Sequence, residues 1–193
     1  MGPDADARGI RHAKVPFTAV VLIPPEDTWE PIQSIRRAHD PQIARWMPHV
    51  TLLYPFVAQS ALDRAAEALS DACAQCLCFA VQLAEFDCFI HGARSATVWL
   101  RPDPSAPVAR LQSGLLEALP WCDDTSRFAT GFTPHLSVGR WRAGEAQQAV
   151  AELKESWRPL EWRVDCVYLI ARPDEGEAPF TVRNRMPLGG TPR

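Results

Sequence analysis

The sequence predicts an α+β domain built on antiparallel sheet and divided into two pseudo-symmetric halves. Three observations lead there. Strand-like runs and stretches of helical periodicity follow one another in the order βαβαββαβαββ. Helices separate the early strands whereas hairpin-type neighbours dominate late, which favours segregated, antiparallel sheet. Finally, Pro48-His49-Val50-Thr51-Leu52 returns nearly half a chain later as Pro134-His135-Leu136-Ser137-Val138, each copy set between a helix with its loop and another helix.

Residues 1–14 are polar and read as a flexible tail ahead of one domain over 15–190. Phe17 to Ile23 is a β-branched apolar run closed by Pro24-Pro25, the pattern of a buried strand. Asp27 or Thr28 can cap a helix to about His39, with Pro31 tolerated in its first turn. A strand over about Val50 to Tyr54 follows. From Ser60 to about Cys76, Leu62, Ala65, Ala66, Leu69 and Cys73 share one helical face. Phe79 to Phe86 and Thr97 to Arg101 read as strands joined through a loop at His91-Gly92. Pro107 to Leu119 is a helix with Val108, Leu111, Leu115 and Leu119 aligned. Then come a strand over Pro134 to Arg140, a helix over Glu145 to Trp157, and strands over Trp162 to Ala171 and Phe180 to Met186.

Composition narrows the function classes. With 193 residues, a net charge of −3 and a pI near 5.9, the chain lacks the basic stripe that long nucleic acid requires. A nucleotide, a short oligomer or a chain end fits better. No apolar run reaches membrane-spanning length and the N-terminus lacks a secretory core, so a cytoplasmic location is expected. The six cysteines include a Cys73/Cys76 pair with CxxC spacing. No second pair or histidine set accompanies it, so they read as reduced, structural thiols and not as a metal site.

Alternation in a strand gives the duplicated segment its chemistry. His49 and Thr51 project to one face while Val50 and Leu52 face the core, and His135 with Ser137 does the same. Two such strands facing across a groove would set two imidazoles around one phosphate. One takes a proton from the attacking oxygen and the other gives one to the leaving oxygen, at a pKa suited to both tasks. The hydroxyls of Thr51 and Ser137 would hold phosphoryl oxygens. The scheme asks for no metal ion and no cofactor. The pattern is selective within the chain: His12, His39 and His91 are followed two places later by Lys14, Pro41 and Ala93.

PHVTLLYPF (Pro48 to Phe56) and FTPHLSVGRW (Phe132 to Trp141) carry a resemblance to the two-histidine phosphoesterase superfamily, nearest its branch of 2′,5′ RNA ligases and cyclic nucleotide phosphodiesterases. TVWLRPDP (Thr97 to Pro104) and FTVRNRMPLGG (Phe180 to Gly190) add to it. The resemblance implies a bilobal α+β fold with two antiparallel-sheet lobes, helices outside and a central groove, each side giving one His-x-Thr/Ser motif. It also implies phosphodiesterase activity on 2′,3′-cyclic phosphates or on 2′,5′-linked nucleotide and RNA-end substrates, with His49 and His135 catalytic. The alternatives are a nucleotide- or RNA-end-binding module with little catalysis, and a reversible 2′,5′ RNA ligase. Ser137 stands where threonine is usual. Arg140 is a candidate phosphate ligand, although strict alternation turns it from His135 and only a bulge would bring it in; after the first motif Tyr54 holds the comparable place. Among Trp46, Tyr54, Trp99 and Trp141, the base-stacking candidates are Tyr54 and Trp141. Arg36 and Arg37 suit the dipole of their helix end, Arg183 and Arg185 read as a solvated strand face, and Asp123 and Asp124 as loop. The expected partner is a nucleotide or short RNA, met by a monomer.

Overall fold

The computed structural model describes residues 10, 13–127, 131–174 and 176–190. Its strands are β1 (Lys14–Val15), β2 (Thr18–Leu22), β3 (Val50–Leu53), β4 (Phe56–Val57), β5 (Phe79–His91), β6 (Ser95–Asp103), β7 (Leu136–Arg142), β8 (Leu160–Val164), β9 (Cys166–Ala171) and β10 (Thr181–Pro187). The helices are α1 (Trp29–His39), α2 (Leu62–Gln75), α3 (Ala106–Ala118) and α4 (Ala146–Ser156). Two four-stranded antiparallel sheets form, in the orders β10-β9-β2-β3 and β7-β6-β5-β8, beside a small β1-β4 pair. The fold is the bilobal α+β arrangement expected, and the two sheets match strand for strand. Each motif strand, β3 or β7, is the outer strand of its sheet, paired to the strand that precedes it across a helix.

Apolar periodicity explains the helices. Leu62, Ala65, Ala66, Leu69 and Cys73 are buried along α2, which packs on β9, β10 and α3. Val108, Leu111 and Leu115 are buried along α3. The hydrophobic core runs without a break from Val20 and Leu22 in the first sheet to Val98 and Leu100 in the second. Thr28 is the N-cap of α1, but its hydroxyl donates back to the Pro25 carbonyl (2.7 Å) and caps no helix N–H. All six cysteines are free thiols, and burial pushes Cys73 up to about 12.

Three sequence expectations shift. Lys14, read as part of the tail, belongs to β1, paired with Val57, and Ile10 is fully buried; apart from Ala13, the rest of the tail reading falls on residues 1–9, 11 and 12, which lie outside the described set. The strands over Phe79 to Phe86 and Thr97 to Arg101 are longer, β5 and β6 closing at the His91–Ser95 pair. The strand read over Trp162 to Ala171 is two strands, β8 and β9, in different sheets. Trp162, Val164 and Cys166 keep the same two-residue spacing and are all buried, so alternation runs through the crossing at Asp165 unmarked.

The motif strands share one irregularity. In β3, Thr51 faces Val21 and Leu53 faces Val20, so Leu52 is an extra residue. In β7, Ser137 faces Trp99 and Gly139 faces Val98, so Val138 is the extra residue at the same place in the second motif. These are β-bulges, and each inverts the alternation beyond it. Gly139 then meets the end of α1: a Cβ there would lie 2.5 Å from the His39 Cβ and 2.8 Å from the His39 carbonyl. Only glycine lets α1 sit this close to β7.

Candidate functional site

Local sequence builds both halves of the site alike. Pro48, Val50 and Leu52 are buried while His49 and Thr51 are half-buried; Pro134, Leu136 and Val138 are buried while His135 and Ser137 are half-buried. The alternation read from sequence holds through each motif. Both histidines stand one residue ahead of their strands, and each is anchored by the same bond. His49 Nδ1 donates to the Met47 carbonyl (2.7 Å) and His135 Nδ1 to the Thr133 carbonyl (2.8 Å). A carbonyl only accepts, so Nδ1 carries a proton in both charge states and Nε2 is the nitrogen left to exchange one.

The two rings line adjoining cavities of about 230 and 600 Å³. Arg36, Asp40, Gln42, Trp46, His49 and Arg140 are among those walling the smaller; Phe89, His91, Arg127, Phe132 and His135 are among those walling the larger. Thr51, Tyr54, Thr97 and Ser137 line both. The two motif hydroxyl residues, Thr51 and Ser137, thus line the space shared by the two cavities, one walled by each imidazole. Among the described residues, no three His, Cys, Asp or Glu side chains converge as metal ligands would.

Arg140 and Trp141 exchange places relative to simple alternation. The bulge at Val138 sets Arg140 opposite Thr97, at the cavity wall, and turns Trp141 to the helix-covered face, where it stacks on His39 at 4.2 Å. Trp141 is therefore not brought to the groove. Tyr54, five residues after His49 as Arg140 is after His135, reaches the groove past the equivalent bulge and is 37% exposed. Trp46 stacks on His49 at 4.7 Å, while Trp99 is buried beside Phe89 and His135. Arg183 is exposed on β10, where Arg185 lies over the Tyr168 ring. Asp124 pairs with Lys14 at the rim of the larger cavity.

Among the wall residues to which sequence reasoning gave no site role are Arg36, Thr97 and His91. Arg36 is buried: it pairs with Asp40 (2.8 Å), bonds Gln33 Oε1 (3.0 Å) and donates to the Trp46 carbonyl (2.7 Å). Its position four residues after buried Ile32 was the available signal. Thr97 and His91 are joined at 2.9 Å through Oγ1 and Nε2; no motif spacing marks them.

Burial lowers the pKa of both site histidines. His49 falls from 6.5 to about 4, first through burial, then through the Arg36 and His135 charges, against its bond to Met47 and the Asp40 carboxylate. His135 is lowered through burial, against its bond to Thr133. An unfolded imidazole binds its proton near pH 6.5 while folded His49 waits until about 4. The unfolded state therefore gains stability as pH drops through this window. Urea unfolding should show the fold losing about 3 kcal/mol between pH 6.5 and 4 through His49 alone, and His49→Gln should remove that slope. An unchanged slope in the variant would place the titration elsewhere.

A family model described as the 2′-5′ RNA ligase superfamily matches residues 24–176. A Geobacillus kaustophilus (strain HTA426) protein named "Putative phosphoesterase GK0864" is 27% identical over 177 residues, 89% of this chain and 95% of that one. The Thermus thermophilus protein TT0787 superposes with a TM-score of 0.61 at 16% identity, over 90% of this chain and 98% of that one. E. coli LigT, in its complex with 3′-AMP, gives 0.58 at 21% identity, over 89% and 97%. These two structures establish likeness of fold.

Proposed function

Because the chain belongs to the 2′-5′ RNA ligase superfamily, we propose that it is a metal-independent phosphodiesterase for 2′,3′-cyclic phosphate or 2′,5′-linked nucleotide and RNA-end substrates. The observation that carries this reading is the matched pair of imidazoles, each pinned at Nδ1, flanking a junction lined by Thr51 and Ser137. The superfamily and the phosphoesterase-named relative support phosphodiester chemistry as the coarse activity. LigT structures with 3′-AMP, ATP and NADP+ support a small nucleotide as ligand.

His49 is the general base. Its pKa is driven down to about 4, beside the Arg36 cation, so at neutral pH its Nε2 lone pair is available. It takes a proton from the attacking water as the new P–O bond forms. His135 is the general acid: the anionic substrate offsets its burial and holds its proton until the P–O bond to the leaving ribose oxygen breaks, when Nε2 passes the proton to that oxygen. Thr51 and Ser137 donate to the non-bridging oxygens, and Arg140 supplies positive charge from the second lobe. Tyr54 offers its ring to a base at the mouth.

The test is a product-resolved screen in excess EDTA over 2′,3′-cyclic mononucleotides and over 2′,5′- and 3′,5′-linked dinucleotides. Turnover of a cyclic phosphate or a 2′,5′ linkage is expected. Binding across the panel with no cleavage would leave a nucleotide-binding module.

A further inference from the structure

We propose that Thr97 is a third hydroxyl on the reacting phosphate and that His91 holds it there. The inference rests on the phosphodiesterase reading above and extends its site to β5 and β6. Four residues line both cavities. Two are the motif hydroxyls and one is the Tyr54 ring; the fourth is Thr97. Its side chain therefore lines the space shared by the two cavities, one walled by each imidazole, where a phosphorus atom in reach of both must sit.

Sheet register explains how it arrives there. Thr97 is directly opposite Phe89 on β5 and Arg140 on β7, and directly opposed residues share a face. Phe89 meets the His135 ring edge-on at 5.0 Å, so this row runs beside the second histidine. The neighbouring row carries Cys88, which accepts a bond from Gln147 of α4, and so faces the helices. Thr97 is thus on the groove side because β6 alternates, and the Val138 bulge in β7 brings Arg140 into line with it.

The bond to His91 gives the hydroxyl a direction. A threonine hydroxyl has one proton to donate and two lone pairs. When His91 Nε2–H donates to Oγ1 across 2.9 Å, the hydroxyl proton is left for an anion. Branching at Cβ restricts the side chain further. His91 is exposed and acts through Thr97, so it is a positioning residue; Thr97 itself touches the phosphate. Neither stands in a His-x-Thr/Ser motif.

Thr97→Val keeps the branched shape and a strand-compatible residue while removing the hydroxyl, so its melting temperature should match that of the wild type. With 2′,3′-cyclic AMP as substrate, its kcat should fall about 10- to 100-fold, the worth of one hydrogen bond to a charged oxygen, with KM changed less. Calorimetry with inorganic phosphate should show binding weakened about 10-fold or more by the same principle. Thr97→Ser should restore both. His91→Leu should reproduce the kcat loss and add little in the Thr97→Val background, whereas His91→Gln, which keeps an N–H, should recover most of it. Wild-type kcat and phosphate affinity in Thr97→Val would overturn the proposal. The phosphate titration also separates it from the reading beneath it. Phosphate binding that depends on Thr97 in a protein that cleaves nothing keeps the anion site and removes the enzyme, while full turnover without the hydroxyl does the reverse.

Discussion

Alanine at His49 or at His135 should each lower kcat about 10²- to 10⁴-fold on whichever phosphodiester the chain turns over, the usual contribution of one general acid or base. The two losses should be similar because the two rings are mounted alike: proline before, a carbonyl two residues back on Nδ1, a hydroxyl two residues on. They should also fail to multiply, since one imidazole without the other runs only half of a proton exchange. His49 stacks on Trp46 and His135 meets Phe89, so a glutamine variant at each position keeps some packing and separates lost chemistry from lost structure. Thr51→Ala and Ser137→Ala should cost less, because in the proposed mechanism each leaves other donors on the phosphoryl oxygens. The pH profile of kcat should show two limbs belonging to the pair of imidazoles jointly. Retention of wild-type kcat by either histidine variant would remove that ring from the chemistry.

The motif histidines and hydroxyls were readable because strand alternation is local. His49 and Thr51 share a face whatever else the chain does, and the repeat at His135 and Ser137 marks two strands of equal rank, which the fold places at equivalent edges of two sheets. What alternation could not supply was its own interruption. The bulges at Leu52 and Val138 exchange the faces of every residue beyond them, so Arg140 enters the groove and Trp141 leaves it. Nothing in Leu-Leu or Val-Gly announces the extra residue except Gly139, and its need for close approach appears only when α1 is packed against it. The break at Asp165 was hidden for the opposite reason: apolar spacing continues through it while the chain changes sheets. Thr97 and His91 stayed out of view because their partners lie on neighbouring strands, and cross-strand register is a tertiary fact.

Arg36→Ala should be the most destabilising single change among the groove residues. Its guanidinium is 2% exposed and satisfied on three sides, by Asp40, by Gln33 and by the Trp46 carbonyl. Removing it strands the Asp40 carboxylate, whose side chain is 12% exposed and keeps one bond, from the Gln42 N–H. Breaking a buried pair from one side costs about 3 to 5 kcal/mol, or roughly 10 °C in melting temperature for a chain of this size. Asp40→Asn in the same chain should return part of that loss by discharging the orphaned partner. Lysine cannot replace the fork that reaches three acceptors at once, so Arg36→Lys should recover little. The change should also be felt at the imidazole. Arg36 fixes the carbonyl of Trp46, the ring that stacks on His49, and its charge is one of the causes holding His49 down. Without that charge the His49 titration, followed by NMR, should move up from about 4 yet stay below 6.5, because burial is the larger cause and remains. A stable variant with an unmoved titration would mean that Arg36 neither braces the first lobe's wall nor tunes the imidazole it encloses.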